Sequence, residues 1–198
     1  ANVVGPGEVI GARAVFTLPT KGELFHTLSM GIDYKHFAQT LSLGQDAFDS
    51  PVTYVPLVAS YGATWQGDGR LTQLNASITA GLRGIGSSPE EFDAKRYKAT
   101  GSFIHLNADA SHTQDLPEGV QLFAKMQGQV ADQPLVSSEQ FSIGGQDTVR
   151  GYLESEALGD YGVVGTLELR SPNIAPYLEQ KLDNPLGQPV KFNAFDEW

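Results

Sequence analysis

Apolar and polar side chains alternate with a period of two over unusually long segments, and this pattern limits the folds open to the chain. Successive side chains of a β-strand point to opposite faces. Between Gln73 and Arg83, the residues Leu74, Ala76, Ile78, Ala80 and Leu82 share one face, and Gln73, Asn75, Ser77, Thr79 and Arg83 share the other. The same division sets Val120, Leu122, Ala124, Met126 and Val130 against Gln121, Lys125, Gln127 and Gln129. It recurs from Ile10 to Leu18, from Leu28 to Lys35, from Val55 to Trp65 and from Ile104 to Ala110. Such a sheet either packs its apolar face on a second sheet, as in a soluble sandwich, or presents that face to lipid while the polar face lines a wet lumen. Length separates the two: the segments run to about 10–16 residues, against about 5–6 for soluble strands and about 9–11 for membrane strands. The sequence predicts an all-β, antiparallel, up-and-down transmembrane barrel wall of about eight strands.

Composition agrees. No run approaches the roughly 20 apolar residues of a transmembrane helix, and Gly 22 and Pro 11 interrupt the chain too often for long helices. With Cys 0, disulfides and thiolate metal sites are excluded. The formal net charge of −10 argues against a nucleic-acid partner, which requires a basic face. The chain shows no signal-peptide pattern and reads as an excerpt of a longer protein.

The connections alternate in length. Residues 19–23, 67–69 and 116–119 read as tight turns, whereas 39–52, 85–100 and 135–161 read as long loops. Short turns on one side and longer loops on the other characterise outer-membrane barrels, with the long loops extracellular. The stretch 172–189 breaks this parity. Strands are expected near residues 9–19, 24–38, 53–66, 70–84, 101–115, 119–133, 162–171 and 190–197, paired in sequence order.

The most informative motif lies in the third long loop: Phe141, the turn-forming pair Gly144 and Gly145, and then Val149, Arg150, Gly151 and Tyr152. This order, with Leu158 to Asp160 and Leu167 to Arg170 downstream, resembles the signature loop of the outer-membrane barrels that assemble or secrete proteins. Within that superfamily, residues 139–172 are most similar to the two-partner secretion (TpsB) transporters of the haemolysin secretion/activation type. The resemblance implies roughly half of a sixteen-stranded barrel, residues 1–198 forming part of that barrel domain, with the periplasmic POTRA domains absent from this chain. It also implies that the loop 136–161 folds into the lumen, where Arg150 pairs with an acid on the barrel wall. A closed eight-stranded barrel, filled by its own side chains, has no room for such a loop.

Guanidinium suits that role, being always charged and carrying a planar fork of donors. In a wet lumen the pair serves to position the loop more than to stabilise it. Glycine at 144, 145 and 151 opens backbone angles closed to other residues, and Tyr152 offers a ring for packing and a hydroxyl for a hydrogen bond. Parity places Leu167 and Leu169 toward lipid and Glu168 and Arg170 inward, making Glu168 one candidate partner. The family's Phe-x-Asp pattern aligns Glu197 as another, with Asp196 as the alternative under a one-residue shift.

Other chemistry is thinly represented. His26, His36, His105 and His112 lack metal-ligand spacing, and inward His105 reads as a lumen residue. Asp46 and Asp49 lack an ordered set of oxygen ligands for calcium. No nucleophile elbow or phosphate loop occurs, so neither an enzyme nor a cofactor is expected. Residues 90–96 read as a charged extracellular loop. The resemblance implies an integral outer-membrane pore of a Gram-negative bacterium that secretes a large unfolded partner exoprotein of haemolysin or adhesin type, with lipid as its surroundings and neither nucleotide nor nucleic acid. An assembly factor that inserts other barrels is the alternative, and an outer-membrane enzyme or a soluble β-sandwich binding module are readings of other classes.

Overall fold

The computed structural model describes residues 2–4, 7–43, 46–146 and 148–172. The principal sheet is built from β1 (Asn2–Val4), β2 (Gly7–Thr17), β3 (Leu24–Leu43), β4 (Asp46–Gly67), β5 (Arg70–Gly86), β6 (Ile104–Asp115), β7 (Gln121–Ala131) and, later in the chain, β10 (Gly162–Arg170). Every pairing is antiparallel between neighbours along the sheet. β1 and β2 lie in one register along the same edge of β3, Asn2 opposite Ser42 and Gly7 opposite Phe37. A separate two-stranded ladder, β8 (Phe141–Ile143) with β9 (Ala157–Gly159), lies between β7 and β10 in the chain. Among the described residues, no helix is long and apolar enough to cross a membrane.

The cross-strand register collects the apolar stripes onto one face. Ile78 stands opposite Ala59 on β4 and Leu106 on β6, Leu106 opposite Val130, and Ala124 opposite Leu167. The large side chains of this face are exposed: Ile78 at 46 %, Met126 at 61 %, Leu167 at 75 %. A continuous apolar face of this extent, with no second sheet on it among the described residues, fits the pattern of an outer-membrane barrel wall. The polar face carries Asp33, Lys35, Thr79, His105 and Gln129, and the loops fold onto this side.

Two expectations are corrected. Residues 39–52 are not a long loop, because β3 and β4 continue pairing through Leu43 opposite Asp46. The alternation fades there, yet backbone hydrogen bonds hold a ladder without an apolar stripe, and strands of 20 and 22 residues run well past the ~30 Å hydrocarbon core. Asp49 therefore sits on a ladder, opposite Thr40. Second, residues 90–96, expected as a charged loop within the long connection 85–100, belong to α1 (Pro89–Lys95) and its C-cap Arg96. Ser88 and Glu91 form a reciprocal capping box, the Ser88 N–H donating to Glu91 Oε2 at 2.7 Å and the Glu91 N–H to Ser88 Oγ at 3.3 Å. Pro89 opens the helix where a missing N–H costs nothing. Strand 190–197 and the connection 172–189 lie outside the described residues.

α1 turns Phe92 inward, and Phe92 and Phe103 each meet the Tyr54 ring edge-on, with centroids 5.8 Å apart in both cases. Val52, Ala99, Leu135 and Val136 complete this cluster on the polar face near the long-connection end. Pro56, unable to donate to the ladder, follows the irregularity at which β4 shifts register on β5.

Candidate functional site: a loop held on the polar face of the sheet

The connection from β7 to β10 is fastened first at its base. Leu135 N–H and Gln140 Nε2 donate to Asp160 Oδ1 at 3.0 and 3.2 Å, and Arg96 Nη2 donates to Asp160 Oδ2 at 2.6 Å. Gln129 Nε2, from β7, donates to the carbonyls of both Glu139 and Asp160, at 3.0 and 3.3 Å. One side chain thus gathers the outgoing and returning limbs.

Glu139 is buried, its side chain only 5 % exposed. Its Oε1 accepts from Lys35 Nζ and from the Tyr54 hydroxyl, each at 2.6 Å, and its Oε2 from His105 Nε2 at 3.1 Å. Burial pushes the carboxyl's pKa up, but hydrogen bonds from His105 and Lys35, the Lys35 charge and the Tyr54 hydroxyl outweigh it and hold the group below the usual carboxylate range.

Beyond this base the β8–β9 ladder carries the chain to the tip. Phe141 is half-buried and its ring lies over Gly162, where a Cβ would collide with it. Gly144 has φ 122°, and a Cβ there would run into the Leu153 carbonyl, so only glycine fits this turn. Thr148 locks the turn, its Oγ1 accepting from the Gly144 N–H at 2.8 Å and donating to the Gly144 carbonyl at 2.9 Å. Gly145 and Gly151 also have positive φ. Val149 is half-buried and faces a cavity of about 530 Å³ shared with Phe123, Lys125 and Thr166. Tyr152 is 61 % exposed.

Arg150 reaches the wall. Its Nη2 lies 2.7 Å from Glu168 Oε1, within the range of a charge-assisted hydrogen bond. Glu168 Oε2 also accepts from Arg170, with Nη2 at 2.9 Å and Nε at 3.0 Å, and the Arg170 guanidinium stacks 4.2 Å from the centroid of Phe123. Since Glu168 lies six residues into β10 from Gly162, the tip has travelled about 20 Å along the sheet at ~3.3 Å per residue. The structure therefore brings Arg150 and Glu168 together, whereas Glu197 and Asp196 lie outside the described residues.

Sequence reasoning missed the buried base. Parity places Lys35 on the polar face and His105 toward the lumen, but nothing local shows that Glu139, over thirty positions from His105 and over a hundred from Lys35, joins them. Among the described residues, no group of His, Asp and Glu could hold a metal ion.

A sequence profile described as "Haemolysin secretion/activation protein ShlB/FhaC/HecB" matches residues 57–185, well over half of the chain. No curated protein matches the sequence. Among solved structures, CdiB from Escherichia coli matches with a TM-score of 0.71 and 19 % identity, over 84 % of this chain and 31 % of that one. At that identity the likeness carries the fold, and the chain spans about a third of the CdiB structure's length. Members of the profiled family are outer-membrane β-barrel transporters of the two-partner secretion type. With the signature loop lying on the polar face of a TpsB-type barrel wall and the profile running through both, the chain belongs to the haemolysin secretion/activation family.

Proposed function

We propose that the parent protein is an outer-membrane translocation pore that exports one large, unfolded partner exoprotein, and that Arg150 positions the signature loop inside it. The observation that carries this reading is the 2.7 Å contact between Arg150 and Glu168, which sets a long loop deep along the polar face of a wall whose other face is apolar. A loop so placed occupies the route a translocating chain would take. Residues 1–198 supply part of the barrel domain, and the secretion-type family match favours export over barrel insertion. The working parts are hydrogen bonds and fixed charges, with no bond chemistry required of the wall, and no nucleotide or nucleic acid takes part.

Deleting the parent gene tests this directly. One large extracellular protein should vanish from the medium and be retained or degraded in the periplasm, and the intact gene should restore it. An unchanged set of secreted proteins, together with fewer folded barrels in the outer membrane, would favour the assembly factor instead.

A further inference from the structure

The two attachments of the loop differ in kind. Arg150 is 69 % exposed and meets a carboxylate already shared with Arg170. Water and Arg170 can therefore replace it at Glu168 with little loss. Glu139 has no such substitute. Its carboxylate is buried and takes donors from three separate strands, Lys35 on β3, Tyr54 on β4 and His105 on β6, while Gln129 on β7 holds its carbonyl. Withdrawing it would leave Lys35, itself only 18 % exposed at the side chain, without the carboxylate it donates to. Asp33, two residues along β3 on the same face, is occupied by Arg13, with guanidinium–carboxylate contacts of 2.5 and 2.6 Å.

We infer that Glu139 is a positioning residue, the fixed clamp of the signature loop, and that Arg150–Glu168 is the releasable contact. The base stays seated on the wall while the tip beyond Gly144 detaches. This deepens the proposed function, since it names which part of the loop moves in a pore, and rests on that reading for its purpose but not for its geometry.

The test uses the full-length parent protein in proteoliposomes, with a nitroxide on cysteine introduced either at Ser142, beside the clamp, or at Tyr152, at the tip. Both positions are exposed. Arg150→Ala should mobilise the Tyr152 label and leave the Ser142 label immobilised. Glu139→Gln should abolish the immobilised component at Ser142. A Ser142 label that stays immobilised in Glu139→Gln, or one that mobilises in Arg150→Ala, overturns the inference. Where Glu139→Gln fails to fold, the double variant Lys35→Met with Glu139→Gln removes the Lys35 charge and carries the same test. Failure of both to fold would make Glu139 a folding element and overturn its role as a clamp. Export by the same variants is scored separately: a mobilised base with undiminished export supports the clamp and counts against the loop's position mattering for export, whereas the secretion reading itself stands or falls on the gene deletion.

Discussion

Arg96 and Asp160 meet at 2.6 Å, tying the connection after β5 to the residue two positions before β10. Because Asp160 also accepts from the Leu135 N–H and from Gln140, the helix-bearing connection and both limbs of the signature loop share one carboxylate. The long-connection end of this wall is thus a cross-linked assembly of loops.

Asp160→Ala should loosen that assembly without unfolding the sheet. Loss of a charged hydrogen-bond acceptor leaves partly buried donors unpaired, at a cost of about 1–3 kcal/mol. Trypsin added to intact cells should cut faster after Arg96 and Lys98, with the heat-modifiable mobility of the barrel unchanged. Unaltered cleavage would mean that Asp160 has no part in holding the two connections together.

Arg150→Ala should reduce partner export several-fold while the barrel still inserts, since an exposed ion pair contributes at most about 1 kcal/mol. Arg150→Lys should recover export in part, a point charge lacking the planar fork. Wild-type export by Arg150→Ala, measured beside barrel folding, would return Arg150 to an ordinary loop residue.

The lipid-facing assignment has a direct check in adjacent residues. Ile78, flanked by Ala59 and Leu106, should cost about 2–4 kcal/mol when replaced by Arg near the bilayer midplane. Ser77, flanked by Ser60 and Asn107 on the polar face, should tolerate Arg at much lower cost. Folding free energies in lipid vesicles measure both, and equal costs would reverse the assignment of faces.

The clamp also predicts a pH dependence. Glu139 has a folded-state pKa below its unfolded value, so its stabilising contribution is complete above the unfolded value and is lost as pH falls through the folded one. Immobilisation of the Ser142 label should therefore persist at neutral and mildly acidic pH and disappear below the usual carboxylate range. Glu139→Gln should remove that transition. A transition of the same size in the variant would assign it to another group.

The alternation of side chains by itself determined the strand-built wall, its two faces and the inward direction of Glu168, because each follows from a period of two along a single strand. The motif from Phe141 to Tyr152 likewise announced the signature loop, and glycine at 144 foretold a turn that other residues cannot make. Strand ends were less legible: β3 and β4 run on through 39–52 because backbone pairing does not need the apolar stripe that a reader of sequence follows. α1 carried a capping box, yet its one buried aromatic, Phe92, acquires meaning only beside Tyr54 and Phe103. Only the tertiary structure decided where Glu139 lies, for its burial and its donors come from three strands distant in sequence, and no local pattern encodes a meeting that the register of the whole sheet creates.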